Sequence, residues 1–198
     1  MKPYKNIEKS NWKLVTEKLV NEHPLSEKEI VEVVLLAWDG IMKTKIADEL
    51  QIGIDIFPSP QILGNYLHEL IPIILSKRYP TLWKKEFEKI DKDLVYIPDN
   101  KFSVEIKTSS NSNNIFGNRS YGQENSLNNS GKTKDGYYLT VNFEKFDLKH
   151  PETTPSIKKI RFGWIDHSDW RAQASPTGQQ ASLGIFARDN KLKLLYKK

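Results

Sequence analysis

The chain has 198 residues, 38% apolar and 28% charged, which is typical of a globular protein with one hydrophobic core. It contains no cysteine, so a disulfide scaffold and any thiolate metal site are excluded. The first residues contain no apolar run, and no apolar stretch is long enough to cross a bilayer. We therefore expect one domain over residues 1–198, without a signal peptide or a membrane partner, in a reducing cytosol.

The net charge of +5 is distributed unevenly along the chain. Residues 1–100 carry 14 Lys or Arg against 16 Asp or Glu, whereas residues 101–198 carry 16 against 9. The basic second half favours an anionic partner, for which nucleic acid is the usual candidate. A solubilising surface without a partner would give the same pattern.

Helical spacing of apolar residues dominates the first ninety residues, which we predict to be mainly helical. Ser10 is expected to cap a first helix, and Ser26 with Glu29 has the sequence of a capping box for a second. A third helix is expected to begin near Pro60 and to end or kink at Pro72. A short amphipathic segment is expected at residues 82–87.

Residues 91–198 show the alternation typical of strands. We predict strands at residues 93–97, 102–108, 137–146, 157–165 and 192–196. The Ser- and Asn-rich segment 109–135 and the polar segment 166–180 are predicted to be connecting loops. Loops of this length in a compact domain are usually functional or disordered. The order of elements indicates an α/β domain, with helices first and a sheet after them.

The predicted strands at residues 93–97 and 102–108 bring charged side chains together. Pro98-Asp99-Asn100 is a turn sequence midway between Asp93 and Glu105, so the chain folds back there into a hairpin. Paired strands lie about 4.8 Å apart, which brings the two acids within a few ångströms of each other. Lys107, two residues after Glu105, lies on the same face of its strand.

This constellation suits phosphodiester hydrolysis. Two carboxylates can hold Mg²⁺ against a phosphate, and a lysine can orient the attacking water or stabilise the developing charge. The predicted catalytic residues are therefore Asp93, Glu105 and Lys107, with Asp93 and Glu105 as the metal ligands. The alternative is that Glu105 and Lys107 form the solvated face of an ordinary strand.

Two further acid-x-Lys triplets, Asp147-Leu148-Lys149 and Asp189-Asn190-Lys191, show that the triplet alone is a weak signal. Asp135 precedes the first triplet at the same separation as Asp93 precedes Glu105. The residues between Asp135 and Asp147 are predicted to form one continuous strand, which would separate those acids by about 40 Å. Only the set from Asp93 to Lys107 has an intervening turn.

Other candidates are less specific. Glu69 on the third helix could reach the same metal ion, or it could be a surface acid. Polar and basic side chains in the two loops suit contacts to phosphates and base edges, although two flexible polar loops are the alternative. The predicted DNA-binding residues are Ser109, Asn111, Asn113, Asn114, Asn118, Arg119 and Tyr121 in the first loop, and His167, Arg171, Gln173, Thr177, Gln179 and Gln180 in the second.

At these residues the sequence resembles the ScaI family of type II restriction endonucleases. The similar stretches are residues 21–38 (NEHPLSEKEIVEVVLLAW), 52–72, 93–111 (DLVYIPDNKFSVEIKTSSN), 115–123, 136–146 and 161–183. The family belongs to the PD-(D/E)xK nucleases. The resemblance places the first motif acid on Asp93, the second on Glu105 and the lysine on Lys107. Lys92 stands where the motif has proline, and Glu69 matches an accessory helix acid.

The resemblance implies a restriction-endonuclease-like core, a mixed β-sheet flanked by helices. It further implies Mg²⁺, a homodimer in the bacterial cytoplasm, a partner methyltransferase, and cleavage of both strands of double-stranded DNA within a short palindrome. The family's namesake recognises AGTACT and cuts it bluntly, and this specificity is an expectation here. A structure-specific repair or recombination nuclease and a non-catalytic DNA-binding module are the alternative functions.

Overall fold

A computed structural model describes residues 1–122, 133–175 and 178–198. The helices span Trp12–Asn21 (α1), Glu27–Lys43 (α2), Pro60–Arg78 (α3) and Ile185–Lys191 (α4). The strands span Lys45–Ile46 (β1), Leu50–Gln51 (β2), Trp83–Lys85 (β3), Leu94–Tyr96 (β4), Val104–Ser109 (β5), Phe116–Asn118 (β6), Gly136–Phe143 (β7), Ile157–Ile165 (β8), Trp170–Ala172 (β9), Gln180–Leu183 (β10) and Leu192–Lys197 (β11). No helix in these ranges has both the length and the apolarity needed to cross a membrane.

The central element is a six-stranded sheet in the order β11-β8-β7-β5-β4-β3. β5 and β7 are parallel, and the other neighbouring pairs are antiparallel. A smaller antiparallel sheet has the order β6-β10-β9. The expected α/β fold, with a mixed sheet flanked by helices and a helical N-terminal part, is confirmed.

The sheet separates two apolar clusters, and β7 shows this most clearly because all eight of its residues are buried. Tyr137, Leu139 and Val141 belong to the larger cluster, which contains the apolar faces of α1, α2 and α3. Tyr138 belongs to the smaller cluster, with Trp170 and other residues of the β6-β10-β9 sheet. Successive side chains of a strand point to opposite faces, so each face of β7 is covered by a different layer.

The helical predictions were largely confirmed, with two corrections. Ser26 and Glu29 form the predicted capping box. Ser10 does not cap α1: it lies in a 3₁₀ turn, Lys9–Asn11, and the capping position falls on Asn11. Pro72 does not end α3, which continues to Arg78. A proline removes one main-chain hydrogen bond, and burial of Ile71 and Leu75 in the larger cluster holds the turns on either side together.

Several short elements differ from the sequence predictions. The amphipathic segment at 82–87 contains the edge strand β3, Trp83–Lys85. Both predicted loops contribute strands to the small sheet, β6 from the first and β9 from the second, while β10 begins at the last residue of the second. α4 was not predicted. These elements have three to seven residues, so their form depends on tertiary pairing more than on local periodicity.

Candidate active site

The predicted hairpin is present. β4 and β5 pair antiparallel, with Leu94 opposite Val104. Asp99 accepts a hydrogen bond from the Lys101 N–H at the start of the turn. Ser103 Oγ donates to Asn100 Oδ1 (2.6 Å) and accepts from the Tyr96 N–H (3.0 Å), which fixes the turn to the strands on either side of it.

Asp93 is hydrogen-bonded to the neighbouring strand, β5. Its Oδ2 accepts a hydrogen bond of 2.6 Å from the N–H of Ile106, the residue between Glu105 and Lys107. His68 on α3 approaches the same oxygen, with Nδ1 at 3.6 Å. The first acid is therefore held against β5 at the level of the acid-x-Lys triplet.

Glu105 and Lys107 lie on the same face of β5 and are in contact. Lys107 Nζ donates to Glu105 Oε1 at 2.7 Å, and the side chains are 13% and 3% exposed for lysine and glutamate. The hydroxyl of Tyr121 donates to the same carboxylate oxygen. This burial rules out the alternative that Glu105 and Lys107 form a solvated strand face.

The charge states of these donors follow from their surroundings. Burial lowers the pKa of Lys107, but the charges of Glu105 and Asp93 outweigh it, so the net shift is upward. Burial also raises the pKa of Tyr121, and Glu105 raises it further. Lys107 therefore remains a cation and Tyr121 a neutral hydroxyl, and both donate hydrogen bonds toward Glu105.

The cluster opens to a cavity. Asp93, Glu105 and Lys107 line a volume of about 340 Å³ together with His68, Asn118, Ser120, Tyr121 and Lys134. A larger cleft of about 900 Å³ shares the lining residues His68, Lys107 and Asn118 with this cavity, so the two are contiguous. The cleft runs between the first half of α3 and the ends of β5 and β6.

A glycine permits the close approach of α3 to β5. A Cβ atom on Gly64 would lie 2.7 Å from Oγ1 of Thr108, closer than packed atoms allow. Because residues four apart share a helix face, this contact presents His68 to the cavity one turn later. The side chain of His68 thereby reaches Asp93.

Glu69 does not reach the cavity. Its carboxylate forms an ion pair with Lys85 and is 54% exposed. The next residue on a helix points about 100° away, so one of the two adjacent side chains, His68 and Glu69, can face the cavity, and it is His68.

The predicted DNA-binding residues fall into three groups. Five of them line the cleft or the cavity: Ser109, Asn111, Asn118, Tyr121 and Gln180. Asn113 and Asn114 instead direct their amide oxygens to the protein's own cations, Asn113 to Arg161 and Lys159 and Asn114 to Arg188. Asn111 lines the cleft, while its Oδ1 accepts from the N–H groups of Asn113 and Asn114 and its carbonyl accepts from Asn142 Nδ2.

The remaining predicted residues lie around the small sheet. Arg119 donates to the Gly178 carbonyl (3.0 Å), and the N–H of His167 donates to Asp135 (2.8 Å). Arg171, Gln173 and Gln179 are exposed. Thr177 lies outside the described residues.

Sequence analysis missed several residues that line these spaces. Gln61, Asn65 and His68 recur every three or four residues along α3, and this polar stripe on an otherwise apolar helix could have identified them. Ser120, Lys134 and Lys145 also line the cavity or the cleft. They lie in or beside loops, where no periodic pattern marks the direction of a side chain.

The acids present suit one class of metal ion. Within the three described ranges, no group of three or more His, Cys, Asp or Glu side chains could enclose a metal. Mg²⁺ keeps several waters and typically takes one or two protein carboxylates together with substrate phosphates. Asp93 and Glu105, facing a cavity with room for a phosphate, fit that requirement.

Comparisons with known proteins identify the family of the chain. A model of the family described as "ScaI restriction endonuclease" matches residues 2–196. The chain belongs to this family. It is 45% identical over 190 residues to the type II restriction enzyme ScaI of Streptomyces caespitosus, an alignment that covers 96% of this chain and 82% of that enzyme.

Membership identifies the class of activity. Members of the ScaI restriction endonuclease family are type II restriction enzymes, which are site-specific deoxyribonucleases and generally require a divalent metal ion. The similarity covers the helical part and the sheet, including the hairpin and both polar segments.

Proposed function

We propose that the chain is a type II restriction endonuclease whose active site consists of Asp93, Glu105 and Lys107. The observation that carries this proposal is the convergence of the three side chains on one buried cavity beside a large cleft. A structural ion pair would be satisfied by packing around it. Here the charged groups face a space that can admit a phosphate.

Asp93 and Glu105 are proposed to hold Mg²⁺ against the scissile phosphate. When bound, the ion would neutralise charge on the phosphate and make the attacking water more acidic. The Ile106 N–H fixes the orientation of Asp93, and Tyr121 fixes that of Glu105. Both contacts hold the carboxylates in place before DNA arrives, so little reorganisation is needed at the moment of reaction.

Lys107 is proposed to orient the attacking water. Its raised pKa keeps the ammonium group protonated, so it acts as a hydrogen-bond donor and a cation, not as a base. Water attacks phosphorus and releases a proton to solvent, the bond to the 3′-oxygen breaks, and that oxygen leaves and takes up a proton from solvent. The products carry 5′-phosphate and 3′-hydroxyl ends.

Similarity to the ScaI family supports the finer details of this proposal. We propose a palindromic site, AGTACT, cut to blunt ends, with a homodimer placing one active site on each strand. We also propose a cognate methyltransferase that protects host DNA, and a location in the bacterial cytoplasm. Residues that line the cleft on α3 and in the segment after β5, such as Gln61, Asn65 and Asn111, are the candidates for DNA contact.

Digestion of a sequenced plasmid with Mg²⁺ tests the function, with Asp93→Ala as the matched control. We expect discrete fragments from the wild type, with ends that map within AGTACT, and no fragments from the variant. Addition of EDTA should stop cleavage, and sedimentation should give twice the mass of one chain. Equal cleavage by both proteins would show that Asp93 is not required for the reaction.

The same digest separates the alternative functions. A structure-specific nuclease would give a smear without defined ends. A non-catalytic DNA-binding module would leave the plasmid intact, yet bind duplex DNA with strong salt dependence. Fragments that map to another short palindrome would keep the enzyme class and reject AGTACT.

A further inference from the structure

Lys134 is a buried cation at the edge of the proposed active site. It lies two residues before β7, is 7% exposed, and lines the same cavity as Asp93, Glu105 and Lys107. Its Nζ lies 5.5 Å from the centre of the Tyr121 ring. Tyr121 is the residue that donates to Glu105, so one aromatic side chain contacts both the carboxylate and the second lysine.

The ammonium group of Lys134 has no hydrogen-bond partner among the described residues. Three other lysines that are buried, or nearly so, differ in this respect. Lys107 donates to Glu105 (2.7 Å), Lys191 to Asp166 (2.7 Å) and Lys92 to the Thr133 carbonyl (3.2 Å). Within residues 1–122, 133–175 and 178–198, the environment of Lys134 thus supplies an aromatic face but no acceptor.

Burial of this ammonium group carries a free-energy cost. Burial of an ammonium without an acceptor disfavours folding, and burial lowers the pKa of Lys134 accordingly. Replacement by an apolar side chain of similar shape would remove this cost. A cost of this kind is typical of functional sites, where groups are positioned for a ligand and not for the folded chain alone.

We propose that Lys134 binds a non-bridging oxygen of a DNA phosphate in the catalytic cavity, as a second cation beside Lys107. Lys107 is already engaged with Glu105, whereas the N–H groups of Lys134 meet no acceptor in the described part of the chain. The ligand is therefore a phosphate of the substrate strand. This inference rests on the proposed active site.

The test uses the full chain with Lys134→Met and, as a second variant, Lys134→Gln. Lys149→Met removes the same charge from an exposed position outside both lined spaces and serves as the matched control. The probe is a fluorescent duplex centred on the cleavage position mapped in the plasmid digest. Binding is measured over a range of salt concentrations in EDTA, cleavage under single-turnover conditions in Mg²⁺, and thermal unfolding without DNA.

We expect both Lys134 variants to bind the duplex more weakly, with a slope of log affinity against log salt that is smaller by about one. The single-turnover rate should fall about 10- to 100-fold, as expected for loss of a hydrogen bond between charged groups. The melting temperature of Lys134→Met should be unchanged or higher. Lys149→Met should match the wild type in binding and in rate.

Two results would overturn the proposal. One is a lower melting temperature of Lys134→Met with unchanged salt slope and rate, which would make the lysine structural. The other is a loss of slope in Lys149→Met equal to that in the Lys134 variants, which would make the effect one of net charge. Parallel measurement of Asp93→Ala distinguishes a failure of this proposal from a failure of the proposed active site. Full cleavage by Asp93→Ala would reject the active site. A smaller slope of log affinity against log salt in Lys134→Met would still indicate a phosphate contact.

Discussion

Two clusters of buried charge differ in what surrounds them. The closed cluster consists of Asp166, Asp169 and Lys191, and the open cluster of Asp93, Glu105 and Lys107. In the closed cluster one ammonium contacts three carboxylate oxygens at 2.7 to 3.0 Å. The rings of Tyr4 and Trp12 lie 4.5 and 4.3 Å from the same nitrogen and cover it.

The open cluster has similar charges but a different boundary. Its side chains are equally buried, yet they line a cavity that continues into the larger cleft. A further cation, Lys134, faces the same space without an acceptor among the described residues. Burial of charge therefore does not identify a catalytic site. What distinguishes the open cluster is a space beside the charges and a cation without an acceptor within the described ranges.

Secondary structure explains why the acid and the lysine of one acid-x-Lys triplet are in contact and those of another are not. Glu105 and Lys107 lie on a strand, where residues two apart share a face and meet. Asp189 and Lys191 lie at the end of α4, where residues two apart point in different directions. Asp189 pairs with Arg188, while Lys191 turns to Asp166 and Asp169.

The largest expected effect comes from Glu105→Gln in the open cluster. The substitution preserves the shape of the side chain and removes one of the two proposed metal-binding carboxylates. We expect the single-turnover cleavage rate to fall at least about 10³-fold, since a metal contributes several kcal/mol to transition-state stabilisation. The change in the free energy of unfolding should be much smaller than the change in activation free energy that corresponds to this loss of rate. A cleavage rate within tenfold of wild type would show that Glu105 is not needed for catalysis. The proposed functional difference between the open and the closed cluster would then be wrong.

The reciprocal substitution is Lys191→Met in the closed cluster. It leaves Asp166 and Asp169 buried without their main cation, and such a loss typically costs about 3–5 kcal/mol. For a chain of this size each kcal/mol lowers the melting temperature by about 2–4 °C, so the shift should be visible in thermal unfolding.

Cleavage provides the control for this prediction. At a temperature where the variant is still folded, its single-turnover rate should stay within about twofold of wild type, because the closed cluster is not proposed to contact DNA. A large loss of rate without a loss of stability would contradict the assignment of a structural role to Lys191.

The sequence predicted the hairpin and its three charged residues because a turn and a two-residue spacing are local properties. Burial of Glu105 could not be predicted this way, since it depends on Tyr121 and the small sheet packing over β5. The sequence did not indicate His68, because the direction of a helical side chain depends on how the helix packs, here through Gly64 and Thr108. Lys134 had no signal in the sequence: it stands in a polar segment beyond any periodic pattern.

His23 is a third buried ionisable group, whose two hydrogen bonds in the described part of the chain go to the main chain, and it tests what burial does alone. The ring packs among Trp83, Phe102, Tyr137 and Phe162. Nδ1 accepts the N–H of Leu25, so the neutral ring carries its proton on Nε2 and donates to the Phe102 carbonyl at 3.0 Å. Burial lowers the pKa of His23 to about 4, from an ordinary value of 6.5.

The sign of the pH dependence follows from this shift. Between pH 6.5 and pH 4 the unfolded chain binds a proton at His23 and the folded chain does not, so folding loses stability as the pH falls. The loss should reach about 3 kcal/mol near pH 4 and then stop growing, since each pKa unit corresponds to about 1.4 kcal/mol. Above pH 6.5 the ring is neutral in both states and contributes no slope.

Denaturant unfolding of the wild type and His23→Gln across this pH range isolates the effect. Glutamine can keep a donor and an acceptor at this position but does not titrate, so the difference between the two stability curves should vary with pH only between about 4 and 6.5. Carboxylates elsewhere contribute equally to both proteins and cancel in that difference. A difference that stays constant with pH would mean that the His23 pKa is not lowered, and that burial alone does not shift a titratable group in this core.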